Sequence, residues 1–512
     1  MFFETLSDLG GGFLNALSPM SLAFALLGVL IGTIVGTLPG IGPITAIAIL
    51  IPVSFGLDPA HGLIMLCAIY YGSMYGGSIS AALIKTPGEI SNAVMALDGY
   101  QMARRGRART ALATAALGSF IAGTLAVIGL TFLSPVLVQV SRVLASPEYF
   151  LLMLLALVLA STLVTGSWLK SGIAVFIGLA VGTIGLDPQM GAPRQTFGLD
   201  MLRDGVEFTI FAMALFAVPE AIRHLGNPRG FRKPVPIRKG PMLNREDWRR
   251  AAPAWARGSG LGFVIGVLPG VGPTLAAFMS YVMEKRLFEW RPRGRKERFG
   301  EGAIEGVAGP EAANNGGVGG AMVPLLSLGI PGSATTALLL VVFIMYGLQP
   351  GPLMFEQEST LVWTIIASMY IGNLALLVLN LPLVGLFVKL LTIPPVVLYA
   401  AILCFVLIGA YAIEYSLSGL LLILVFGILG YGMDKFGIPL APAILALVLL
   451  PLIESNYSQM MQISGGDLSV LVQRPVSLTI IIFTVLCVAL PPMVRLLRRR
   501  GDRREEKVEV PA

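Results

Sequence analysis

The sequence predicts an all-α polytopic membrane protein made of two inverted-topology repeats, with re-entrant hairpins and broken helices and about ten to twelve membrane segments. Three observations carry this expectation: a strongly apolar composition, long uncharged runs that recur along the chain, and an octet of helix breakers that occurs twice.

Of 512 residues, 55% are hydrophobic and only 13% charged, and the mean hydropathy is +0.80. A soluble chain of this composition would aggregate, so the membrane class is indicated before any motif is considered. Apolar runs recur around Leu151 to Val164, Leu361 to Leu386, Val396 to Ala412 and Leu478 to Leu490. With their flanks counted, these reach the roughly 18 residues or more that span a bilayer as a helix. The first residues, MFFETLSDLG, carry acids and no basic n-region, which is not the pattern of a cleaved signal peptide, so the first apolar segment is expected to persist. Cys67, Cys404 and Cys487 lie inside apolar runs without paired spacing, and His61 and His224 are far apart. A disulfide framework and a thiolate or histidine metal centre are therefore not expected. The net charge of +7 reflects basic residues gathered at the membrane edges and needs no nucleic acid to explain it.

Orientation follows from those basic residues, which accumulate on cytoplasmic loops. Clusters occur at Arg104 to Arg109, Arg223 to Arg257 and Lys285 to Arg298, and in the tail RLLRRRGDRREEK, whereas the loops around Asp58, Asp187 and Glu356 are poor in cations. The N-terminus is expected outside and the C-terminus inside. The organisation predicted is a first membrane repeat over 1–222, a basic cytoplasmic linker over 223–257, a second repeat over 258–495 and a charged tail over 496–512.

The octet GTLPGIGP (36–43) returns as GVLPGVGP (266–273), 230 residues later, with a glycine at every fourth position ahead of each copy: Gly28, Gly32, Gly36 and Gly40 against Gly258, Gly262, Gly266 and Gly270. Such a ladder lets another backbone approach closely. Further on, YYGSMYGG (70–77) aligns with NNGGVGGA (314–321), and Thr86-Pro87-Gly88 with Ile330-Pro331-Gly332. The charge around the copies is reversed. The first octet lies between cation-free segments and the second between basic loops, which indicates entry from opposite sides. From Gly258 the arm before Pro269 would be about 11 residues, roughly 16 Å, too short to cross. The octet therefore reads as the tip of a re-entrant hairpin, buried in protein or lining a watery cavity.

These stretches, with AIYYGSMYGGSISAALIKTPG, LDGYQMARRGRARTAL, GLDPQMGAPRQTFGLDML, EGVAGPEAANNGGVGGAMVPLLSLGIPGSATTALLL, YGLQPGPLMF and GIPLAPAILALVLLPLIE, make the chain resemble the large membrane subunit of the tripartite tricarboxylate transporters. The resemblance runs from about residue 20 to 475. It implies a non-enzymatic, multi-pass subunit of a bacterial inner-membrane secondary transporter. It further implies a periplasmic solute-binding protein and a small four-helix membrane subunit as partners, citrate-like tricarboxylates or related organic anions as substrate, and symport with sodium or protons, with no bound cofactor. One departure is Gln101, where the family more commonly shows proline, and a local loop change is expected there.

An organic-anion carrier needs positive helix ends for the anion and free oxygens for the coupling cation. The tips supply Gly36, Pro39, Gly40, Gly42 and Pro43, and Gly266, Pro269, Gly270, Gly272 and Pro273. The breaks supply Thr86, Pro87 and Gly88, and Pro331 and Gly332. Small polar side chains lie near them: Thr45, Ser78, Ser80, Ser91 and Asn92 in the first half, and Thr274, Asn314, Asn315, Ser333, Thr335 and Thr336 in the second. Any of the hydroxyls could instead bond back to helix carbonyls, but two adjacent amides are costly to bury without partners. Lys85 could pair with a substrate carboxylate or snorkel to the cytoplasmic face. Glu305 and Glu311 could carry a coupling proton or help bind sodium, or could be ordinary helix-start acids. Glu89 is a weaker candidate of the same kind.

Two rival classes remain at this point. EAANNGG superficially resembles the loop by which the permease subunit of an ATP-driven importer docks its ATPase. An intramembrane enzyme is the other, although the chain has no histidine pair for zinc, no G-x-S-x-G elbow and no P-loop, and its Gly465-Gly466-Asp467 falls in a predicted external loop.

Overall fold

Residues 2–163, 167–187, 190–226, 233–237, 242–290 and 297–489 are described by a computed structural model. The predicted tail 496–512 and parts of the basic linker lie outside them. The first half contains α1 (Phe2–Ala16), α2 (Pro19–Thr37), α3 (Pro43–Ser54), α4 (Pro59–Ile84), a 3-10 turn (Ile90–Val94), α5 (Met95–Met102), α6 (Ala108–Ser141), α7 (Ser146–Leu163), α8 (Trp168–Gly182) and α9 (Phe208–Gly226). The second contains α10 (Arg245–Val267), α11 (Gly272–Trp290), α12 (Glu305–Leu328), α13 (Ala334–Met345), α14 (Pro352–Gln357), α15 (Ser359–Leu390), α16 (Pro395–Glu414), α17 (Leu417–Lys435) and α18 (Ala441–Ile463). The short α19 (Val470–Gln473) and α20 (Pro475–Ala489) follow. Two short strands, Gly185–Leu186 and Pro193–Arg194, pair antiparallel in the loop after α8.

Eight of the described helices are long and apolar enough to cross a membrane: α2, α4, α6 with the turns before it, α9, α15, α16, α17 and α18. The shorter apolar helices α3, α7, α8, α13 and α20 accompany them. Helix α12 is absent from the eight, yet its residues from Glu305 to Ser327 are all buried. Its glycine, alanine and asparagine content suits a helix surrounded by protein on every side, and α4 is enclosed in the same way.

Local chemistry sets the helix starts. Proline occupies the first turn of α2, α3 and α4, where its missing N–H costs nothing. Ser18 and Asp58 accept from backbone N–H groups ahead of α2 and α4. A capping box between Asn244 and Asp247 starts α10. Residues 245–257 are helix, so the arm leading to the second octet is 23 residues long where about 11 were expected. Two arginines of the charged stretch that turn toward the protein are matched by acids. Arg250 forks onto Glu305 and reaches Glu297, and Arg257 forks onto Glu284.

The arm packs in register along α12. Gly258, Gly262 and Gly266 of α10 face Gly309, Ala313 and Gly317 of α12 in step, so the two helices run parallel. Between them α11 runs back, with Pro273 against Gly317 and Glu284 against Gly309. The tip thus stops about ten residues, or roughly 15 Å, short of the end of α12. The first half repeats the arrangement: Gly28, Gly32 and Gly36 of α2 face Met65, Ile69 and Ser73 of α4. Each ladder partner in α12 lies 244 residues after its counterpart in α4, the same offset that aligns the breaks. The two central helices run in opposite directions, since Ser78 of α4 meets Glu311 of α12 whereas Tyr70 meets Ser333, beyond the other end of α12.

Candidate substrate and ion site

The two octets fold alike. Helices α2 and α10 end at Leu38 and Leu268 in extended conformation, and the chain turns through Gly40 and Gly270 at φ of 76° and 78°. Only glycine adopts these dihedrals without strain. Pro43 then opens α3, and Gly272-Pro273 opens α11.

The breaks are equally matched. Helix α4 ends on Lys85 and α12 on Gly329, both left-handed. Gly88 packs against Gly77 and the Gly36 carbonyl, and Gly332 against Ala321. Each tip rests on the residue that follows its own break: Gly42 on Glu89, and Gly272 on Ser333. Across the halves, α3 lies against α13 and α11 against the 3-10 turn. Four broken ends therefore meet in the interior.

Buried polar atoms without partners collect here: Glu89 Oε2, the Ser91 hydroxyl, Asn92 Oδ1, Asn315 Oδ1 and both polar atoms of Asn314. Native interiors satisfy nearly all such atoms, and each one left over costs about 1–3 kcal/mol. Both asparagines of the pair are almost fully buried, at 1% and 0% exposed. The Asn314 amide nitrogen, the Ser91 hydroxyl and the positive ends of α3 and α11 are donors that suit an anionic guest, whereas the free oxygens of Glu89, Asn92, Asn314 and Asn315 suit a cation.

Other predicted residues are placed differently. Ser80 bonds back to the Gly77 carbonyl, and Thr86 lies 3.5 Å from the Ile84 carbonyl. Ser333 caps α13 with Thr336 and meets the Tyr70 hydroxyl at 3.3 Å, while Thr335 is buried in the first turn of α13. Lys85 is exposed beside the Tyr100 ring, not directed into the interior. Glu305 is held by Arg250, so of the two candidate acids of α12 only Glu311 lies without an arginine. Gln101 continues α5 into a widened turn, Ala103–Arg107, that closes at a left-handed Gly106. The Glu-Ala-Ala stretch at 311–313 is wholly buried in α12, which leaves no loop there for an ATPase to grip. Gly465-Gly466-Asp467 forms an exposed turn.

Several participants carry no local sequence signal. Tyr399 of α16 donates to the Pro39 carbonyl, and Glu220 of α9 packs on Gly40. His224 bonds Glu220 at 2.8 Å and stacks on Tyr399. The second tip instead meets the Ala156 carbonyl of α7 at Gly270. Both hairpins are thereby braced by helices distant in sequence.

Residues 22–445 match the tripartite tricarboxylate transporter TctA family. A protein of Agrobacterium vitis, described as an uncharacterized 52.8 kDa protein in TAR-I ttuC' 3'region, is 45% identical over 97% of this chain and 98% of its own length. A second from the same organism, an uncharacterized protein in TAR-II ttuC' 3'region, is 46% identical over 46% of this chain and 97% of its own. No solved structure matches. With its residues from 22 to 445 matched, this multi-pass helical chain belongs to the tripartite tricarboxylate transporter TctA family.

Proposed function

We propose that the chain is the large transmembrane subunit of a binding-protein-dependent secondary transporter of the bacterial inner membrane, importing tricarboxylates or related organic anions on a sodium or proton gradient. The observation that carries the reading is the meeting of four broken helix ends around the unpartnered Asn314, Asn92 and Glu89 atoms. An anion bound there would accept from the Asn314 amide nitrogen and the N-terminal ends of α3 and α11, and a cation bound beside it would be met by the oxygens of Asn92 and Glu89. The opposite directions of α4 and α12 support inverted-topology repeats, the arrangement by which alternating access exposes one central site to each side in turn. In this reading a periplasmic binding protein delivers the anion, the small four-helix subunit completes the membrane assembly, and the N-terminus is outside.

Reconstitution with both partners in proteoliposomes tests the proposal. Uptake of labelled citrate that requires the binding protein and follows an imposed sodium or proton gradient is the expected result. Carriage of a different organic anion would revise the substrate. Uptake that follows internal or external ATP and ignores both gradients would overturn the class.

A further inference from the structure

Glu311 breaks the equivalence of the two halves. It lies in the second turn of α12 and is 3% exposed, and the position 244 residues earlier holds Cys67. Two chains of donors converge on its carboxylate. In one, Asn92 Nδ2 donates to Ser78 Oγ at 2.8 Å and the Ser78 hydroxyl donates to Oε2 at 2.6 Å. In the other, Asn315 Nδ2 donates to Ser119 Oγ at 2.8 Å and the Ser119 hydroxyl donates to Oε1 at 3.1 Å.

Because each serine oxygen already accepts a hydrogen bond, its own proton is directed at the carboxylate. The shell is built for negative charge, yet among the described residues no lysine, arginine or histidine pairs with Glu311. The groups that the surrounding elements present are the Tyr75 phenol of α4, which reaches the Leu112 carbonyl, Ser259 of α10, Ser119 of α6, Asn92 of the 3-10 turn and Glu89 just before it, and Glu284 of α11, which is held by Arg257. A lone buried anion is too costly to persist without a compensating cation. Two buried oxygens next along α12, Asn314 Oδ1 and Asn315 Oδ1, have no partner.

From this geometry we infer that Glu311 is the seat of the coupling cation, holding a proton or a sodium ion taken up together with the anionic substrate. Ser78 comes from one half of the chain and Glu311 from the other. Neutralising the carboxylate weakens the charge-assisted Ser78 bond and so loosens a contact between the halves, which ties cation occupancy to their movement. The inference rests on the transporter reading of the same interior.

The test compares wild type with Glu311→Gln in the full reconstituted assembly, measuring two quantities. One is the ratio of uptake with and without each gradient; the other is the shift in melting temperature on adding sodium or changing pH, which reports cation binding by linkage. In wild type one gradient raises uptake at least tenfold and the same cation shifts the melting temperature. In Glu311→Gln both responses fall to the level of a non-coupling ion, and the gradient that drives wild type distinguishes proton from sodium. A variant that keeps either response overturns the assignment. Should Glu311→Gln fail to fold, Ser119→Ala retains the carboxylate and is expected to move the cation midpoint at least threefold; an unmoved midpoint is equally fatal. If wild type transports nothing but still shows a Glu311-dependent melting shift, the transporter reading falls and the cation site stands.

Discussion

The Tyr399 hydroxyl donates to the carbonyl of Pro39, joining α16 of the second half to the hairpin tip of the first. That carbonyl sits where α2 has ended, so it has no helical donor of its own. Removing the hydroxyl in Tyr399→Phe leaves a buried acceptor unpaired, at about 1–3 kcal/mol. A lowered melting temperature and a reduced rate of gradient-driven uptake are expected together. Unchanged values of both would show that the tip is held by packing alone.

The glycine ladder gives a sharper contrast. A Cβ at Gly262 would overlap the Ala313 carbonyl, whereas one at Gly260 meets nothing within 4 Å. Gly262→Ala must force α10 from α12 and should destabilise by about 1–3 kcal/mol or more. Gly260→Ala, in the same helix, should be neutral or mildly stabilising. Equal melting temperatures for the two variants would contradict the close parallel packing of these helices.

Asn314 separates a binding role from a structural one. Its amide makes no hydrogen bond in the protein, so Asn314→Leu, which keeps the branched shape, removes no partner and should leave the melting temperature unchanged or raised. Uptake should nevertheless fall at least tenfold if the amide meets the substrate. Loss of stability in step with uptake would mean that the amide serves the fold.

Lys85 holds the left-handed position that Gly329 fills in the second half. A side chain there costs roughly 1–2 kcal/mol. Lys85→Gly is therefore expected to stabilise the protein and, because the ammonium is exposed, to preserve uptake. A severe uptake defect would restore Lys85 as a partner for the substrate.

At the N-terminal ends of α10 and α12, burial raises the Glu297 carboxyl, but the Arg250 hydrogen bond and the charges of Arg250 and Arg107 outweigh it and hold the group below its ordinary value. A carboxylate depressed in this way stabilises the fold above its unfolded value of about 4.3 and loses that contribution as pH falls through the lower folded value. Glu297→Gln should therefore melt below wild type at neutral pH, with the gap closing on acidification. A gap constant with pH would assign the loss to packing.

Much of this protein was legible in the order of its residues. Composition set the membrane class, since 55% apolar residues can be accommodated only in lipid or against other helices. The duplicated Pro and Gly positions fixed where α2, α4, α10 and α12 stop, because φ restriction and the missing N–H act locally. Hydropathy undercounted α12, whose neighbours are protein and not lipid. It also hid the start of α10, where Arg250 and Arg257 are paired with acids from α11, α12 and the loop before α12. The choice among candidate charges belonged to the tertiary structure alone. Nothing near Glu305 or Glu311 in sequence reveals that Arg250 reaches one while Ser78 and Ser119 enclose the other. Nor does it show that Tyr399 and Glu220 brace a turn hundreds of residues away. Helix breaks are decided by neighbours along the chain; the state of a buried charge is decided by whatever the fold brings to within about 3 Å of it.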